Sequence, residues 1–122
     1  MNNEADGTWV VVNIAELEPE SVARFDHGGR TFAIYRSPDG AYFATDGICT
    51  HERAFLADGL VLEDEIECPL HGGAFNYRTG KAVGAPVCID LRTYAVRVEA
   101  GKLLMRIDQS GPQLGLGIGF DP

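Results

Sequence analysis

Short apolar runs broken by turn residues set the rhythm of this chain. Residues 8–14 (TWVVVNI) are β-branched and aromatic and predict a first strand. Residues 15–20 are polar and hold Pro19, which predicts a loop or a helical turn. Residues 22–25 and 30–36 flank Asp26-His27-Gly28-Gly29, the pattern of a hairpin turn. Ser37-Pro38-Asp39-Gly40 makes a second turn, and residues 41–45 a further strand. From residue 46 to 59 the pattern gives way to Gly, Asp, Cys and His, a long loop. Residues 60–62 and 66–68 predict a short hairpin around Glu63-Asp64-Glu65, followed by a second irregular loop over 69–73. Residues 74–77 lead into the turn Arg78-Thr79-Gly80. Tyr94, Val96 and Val98 alternate with Ala95 and Arg97 as in a half-buried strand, which residues 99–102 turn back into 103–107.

Short strands with a turn signal every 8–12 residues or so predict an all-β sandwich or barrel. No convincing helix exceeds two turns. A chain of 122 residues fits one domain and buries roughly two-thirds of its unfolded surface, enough for a core without disulfides. That domain is placed at 1–108, with a Gly-rich tail over 109–122 that also carries Leu114, Leu116, Ile118 and Phe120. Trp9 and the phenylalanines are expected in the core, and His27 is expected at the surface in its glycine turn.

Composition narrows the function classes. The net charge of -8 and pI near 4.7 would repel phosphate backbones, so nucleic-acid binding is excluded. An acidic surface suits short encounters with basic protein patches, and it serves solubility equally well. The first residues lack a basic segment followed by an apolar run, so no signal peptide is expected. Nor does any stretch approach the length of a membrane span, and the expected compartment is the cytoplasm. Three cysteines, an odd number, in a reducing compartment favour metal or redox use over disulfides.

Two clusters carry candidate chemistry: Cys49-Thr50-His51 and Cys68-Pro69-Leu70-His71, with sixteen residues between His51 and Cys68. Each falls in one of the two irregular loops, with strand signals on either side, which fits metal ligands held on loops by a rigid sheet. Each loop offers one thiolate and one imidazole. Side by side, the loops can give one metal both thiolates and its neighbour both imidazoles, the division a mixed-ligand two-iron cluster needs. Gly72 and Gly73 let backbone N–H groups approach sulfide and thiolate closely. Nothing in the chain offers a nucleophile with a base, a carboxylate pocket or a nucleotide loop, so an enzyme is not expected.

The spacing Cys49-x-His51 and Cys68-x-x-His71, with CPLHGGAFNYRTGKAVGAP over 68–86, resembles the Rieske ferredoxins of aromatic-ring-hydroxylating oxygenase systems. The likeness spans roughly residues 10–107. It implies a Rieske-type antiparallel β fold with a cluster-binding subdomain at about 46–86 built from two loops. It further implies one [2Fe-2S] cluster, with Cys49 and Cys68 on the inner iron and His51 and His71 on the outer iron through Nδ1. Pro86 then belongs to a third loop over the cluster. The implied partners are a flavoprotein NAD(P)H ferredoxin reductase and a terminal oxygenase, met in turn by a monomeric carrier.

Two departures qualify the resemblance. Respiratory Rieske proteins carry an extra disulfide between the loops, where this chain has Ala54 and Leu70. Its loss favours the ferredoxin branch and a potential in the lower part of the range of roughly −150 to +300 mV. Glu52 stands where many relatives have Gly, and it either tunes the site or points to water. Cys88 is read as a small buried hydrophobe. The rival readings are a small Rieske subunit of a larger reductase, such as nitrite reductase, and a zinc-held interaction module.

Overall fold

A computed structural model describes residues 8–14, 16–51, 53–70, 72–84 and 89–107. Glu52, His71, Pro86, Cys88 and the tail lie outside the described residues. The eleven described strands are β1 (Thr8–Val11), β2 (Ser21–His27), β3 (Arg30–Arg36), β4 (Tyr42–Asp46), β5 (Leu60–Leu62), β6 (Glu65–Glu67), β7 (Ala74–Asn76), β8 (Ala82–Gly84), β9 (Thr93–Tyr94), β10 (Val96–Glu99) and β11 (Lys102–Ile107). They form three antiparallel sheets, ordered β1-β11-β10, β2-β3-β4-β9 and β5-β6-β7-β8. Among the described residues the helical content is one 3₁₀ turn, Leu56–Asp58. The all-β antiparallel expectation holds.

Local chemistry explains the main joints. β2 and β3 close as a two-residue hairpin with His27 opposite Arg30, and Gly28 and Gly29 sit at φ 61° and 79°. A turn with positive φ at both centres matches the strand twist, and glycine adopts it without a Cβ penalty. His27 is exposed and stacks on the Phe25 ring at 6.1 Å.

Strand β3 is buried on both faces, from Thr31 to Tyr35. Alternating side chains point to opposite faces, so β3 feeds two cores. Phe32 and Ile34 join Val12, Phe25, Ala44, Tyr94 and Met105 on one side. Ala33 and Tyr35 join Leu56, Ile66, Phe75, Tyr77, Cys49 and Cys68 on the other. The third sheet thus packs its apolar side against the rest of the protein through β3.

Several expectations are corrected. The first strand ends at Val11 rather than at residue 14, and β8 carries no pattern that announced it. The run through Tyr94, Val96 and Val98 is not one strand. Its first part pairs with β4 and its second with β11, with Ala95 between them, so the chain crosses from one sheet to another. The alternation was real, but Val98 stands 62% exposed at the far end. Trp9 is 37% exposed instead of buried; it lies on the outer side of its sheet with the Arg97 guanidinium 4.2 Å from its ring centre.

Tyr35 and Tyr77 stack face to face at 4.6 Å and 6° between the cores' shared strand and the third sheet. The Thr45 hydroxyl donates to the Asp46 carbonyl at 2.7 Å, which leaves Tyr35 to donate to Thr45 Oγ1 at 2.8 Å. The Tyr77 hydroxyl donates to the Glu63 carbonyl. Burial, helped by the nearby Asp64 carboxylate, pushes the Tyr77 phenol up to about 12 from its ordinary 10.0. Burial moves Tyr35 and Tyr94 in the same direction. A phenol raised in the folded state stabilises fully below its unfolded pKa, and that share is lost as pH climbs through the folded value. Unfolding free energy measured by urea titration will therefore fall between about pH 10 and about pH 12. The Tyr77→Phe variant will show a shallower fall over that interval; an identical slope would refute this role.

Candidate metal centre

The chain leaves the β2-β3-β4-β9 sheet after Asp46 and returns at Arg92, and everything between builds the two loops and the third sheet. A buried polar cluster ties this neck. The Asp46 N–H donates to the Arg92 carbonyl at 3.0 Å, and Arg92 Nε donates to Asp46 Oδ2 at 3.2 Å. The Tyr94 hydroxyl donates to Asp46 Oδ1, and Arg30 in turn donates to that hydroxyl at 2.8 Å. Asp46 is 1% exposed, and a carboxylate held there requires such partners. A second tie lies outside it: Arg78 donates to Asp64 Oδ1 at 2.8 Å and to Asp39 Oδ1 at 3.3 Å while lying over the Phe43 ring.

Both candidate loops are built to one plan. In the first, the Cys49 N–H donates to the Ala54 carbonyl at 2.9 Å; in the second, the Cys68 N–H donates to the Gly73 carbonyl at 2.7 Å. Each bond spans five residues and closes a short excursion with the cysteine at its foot. Cys49 is 1% exposed and Cys68 2%, neither is in a disulfide, and both belong to the same core cluster. His51, two residues beyond Cys49, is exposed at the loop tip. His71, three residues beyond Cys68 in sequence, lies outside the described residues.

Glycines allow the close approaches. A Cβ on Gly47 would lie 2.7 Å from Thr31 Cγ2 and 2.8 Å from the Phe32 carbonyl carbon, so the first loop presses directly on β3. Its base is closed by Leu56 N–H to the Gly47 carbonyl at 2.9 Å and by the bridge of Ile48 to Phe55. Gly72, next to His71 in sequence, has φ +72°, where a Cβ would stand 3.2 Å from Glu67 Oε2. The first loop is fastened to the segment that returns to β9 by the Thr50 hydroxyl, which donates to the Ile89 carbonyl at 2.7 Å. Ala54, buried, and Leu70, exposed, have no thiols, so no disulfide links the loops at these positions.

The donor set fits an iron–sulfur cluster on chemical grounds. Soft thiols lie in a dry core, and an imidazole stands at the rim where an electron can leave. Sequence reasoning singled out the loops but missed the Asp46–Arg92–Tyr94–Arg30 cluster. Its signal was faint: an aspartate at the last strand position before the first loop.

Comparison with known proteins accords with this geometry. The Rieske [2Fe-2S] domain profile matches residues 7–95. The ferredoxin component of the naphthalene 1,2-dioxygenase system of Pseudomonas putida is 45% identical over 103 residues, covering 84% of this chain and 96% of that protein. Among solved structures, the ferredoxin of carbazole 1,9a-dioxygenase from Nocardioides aromaticivorans IC177 superposes with a TM-score of 0.74 at 34% identity, covering 80% of this chain and 96% of that one. A ferredoxin solved in complex with the reduced oxygenase of carbazole 1,9a-dioxygenase gives 0.72 at 34% identity, covering 80% and 99%. A nitrite reductase small subunit from Mycobacterium tuberculosis, at 19% identity and 0.73, shares the fold alone. The chain belongs to the Rieske [2Fe-2S] domain family. Its cofactor is accordingly one [2Fe-2S] cluster, which displaces the zinc reading.

Gly72→Ala tests the second loop. Positive φ and the Glu67 contact together will lower stability by roughly 1–2 kcal/mol in denaturant unfolding. Gly28→Ala, with open space around it, carries the φ penalty alone and will cost less. Equal losses in the two variants would show that the Glu67 contact has no weight.

Proposed function

We propose that the chain is a one-electron carrier. It takes electrons from a flavin-dependent NAD(P)H ferredoxin reductase and delivers them to a terminal aromatic-ring-hydroxylating oxygenase. The observation behind this reading is the pair of matched loops, each with a buried cysteine at its foot, the first presenting an exposed histidine. In this assignment Cys49 and Cys68 hold the inner iron, and His51 and His71 hold the outer iron. The cluster supplies a reversible one-electron couple. The rest falls to the chain: it keeps water from the thiolates, fixes the loops through the two cysteine amides, and offers the imidazole edge to a partner.

With every iron position filled by protein and sulfide, no site remains for substrate, so the chemistry on the aromatic ring belongs to the acceptor. Relatives of this size are named as ferredoxin components of dioxygenase systems, and one solved relative is seen bound to its oxygenase. Among the described residues no helix is long and apolar enough to cross a membrane. We place the carrier in the cytoplasm as a monomer forming transient complexes. The missing inter-loop disulfide sets its potential in the lower part of the roughly −150 to +300 mV Rieske span.

Purified anaerobically, the protein will contain about two iron and two acid-labile sulfide per chain. His71→Cys replaces a neutral ligand by an anionic one. It will change the electron-spin spectrum of the reduced protein and move the potential down, towards the value of about −400 mV found with four cysteines. Far-ultraviolet circular dichroism will stay β-like. An unaltered spin spectrum would remove His71 from the ligand set.

A further inference from the structure

The β5–β6 wall of the third sheet, along the flank of the second loop, presents an unusual face. Leu60 and Leu62 on β5 are 53% and 54% exposed, although one apolar residue between them, Val61, already faces the core. Directly across the ladder Leu60 meets Glu67 and Leu62 meets Glu65, so two leucines and two glutamates share one surface. β5 is the outermost strand of its sheet, so this face ends at a sheet edge. Beside it runs an open groove of about 510 Å³ that includes Gly59, Leu60, Glu67, Cys68 and Gly72. Gly59 and Gly72 have no side chains to cover it, and the groove reaches down to Cys68.

The charge of this wall selects its partner. Residues 54–77 carry Asp58, Glu63, Asp64, Glu65 and Glu67 and contain neither lysine nor arginine. Of these, Asp64 is paired with Arg78. A second copy of the chain is a poor occupant, because a two-fold interface would set these carboxylates against themselves. An anionic lipid surface is repelled for the same reason. We propose that this acidic, leucine-centred wall beside Cys68 is a docking surface for a redox protein whose contact face has an apolar centre and a cationic rim. It gives the carrier an approach to Cys68 along the flank of the second loop. The proposal rests on the carrier reading above.

The test uses the intact holoprotein and cytochrome c, a basic redox protein, as the probe. Association is measured by calorimetric titration at low salt, and one-electron reduction of the ferric haem by the reduced chain is followed by stopped flow. Glu65→Lys and Leu62→Ser will each weaken association at least about fivefold, with visible spectrum and reduction potential unchanged. Glu99→Lys makes the same charge change on β10, in another sheet, and will alter association less than about twofold. The proposal is overturned if Glu99→Lys weakens binding as much as Glu65→Lys, since net charge alone then governs the encounter. It is equally overturned if Leu62→Ser binds like the parent. Wall-dependent binding without any electron passing to the haem would support the surface and count against the carrier reading alone.

Discussion

A thiolate-held redox centre must keep its sulfur dry while bringing one edge within reach of a partner, and this requirement organises the molecule. Two loops meet it with one device. The amide of each cysteine is tied to the carbonyl five residues on, at 2.9 Å for Cys49 and 2.7 Å for Cys68. The cysteine is thereby drawn into the core, and in the first loop the histidine is carried out to the surface. With the two cysteines as the proposed ligands, their core burial gains a purpose beyond packing. Low polarity around the sulfur and hydrogen bonds to it are among the levers by which a protein sets such a centre's potential.

Holding that arrangement steady falls to a strand and a neck. β3 faces two cores at once, so the sheet that carries the second loop and the sheets behind it share one rigid wall. The neck is a buried aspartate answered by Arg92 and Tyr94, and such a pair gains more in definition than in net stability. Arg78 adds a surface brace between the β3–β4 turn and the β5–β6 turn. Its carboxylate partners, Asp64 foremost, raise its already high pKa, so it stays charged at any relevant pH.

Much of this was legible in the residues. The glycine hairpin, the alternating strands and above all the two Cys/His loops stood out, because metal ligands and turn glycines are local signals that need no partner to be read. What stayed hidden was long-range. Tyr94 to Val98 reads as one strand, since periodicity records which side of a ribbon is apolar and not which sheet supplies the neighbour. Trp9 reads as core because its size says nothing of the outer face it occupies. Asp46 looks like any loop aspartate until Arg92, forty-six positions away, is set beside it. The ligand assignment of His71 and the placing of Pro86 rest on resemblance and fall outside the described residues.

The position of Trp9 has an experimental use. It is the sole tryptophan in the chain, and it sits on the β1-β11-β10 sheet rather than among the residues that enclose Cys49 and Cys68. With the cluster on the two cysteines, as proposed, its emission and the colour of the iron centre watch different parts of the same small body. Comparing the two signals during denaturation shows directly whether those parts melt as a single cooperative unit or one ahead of the other.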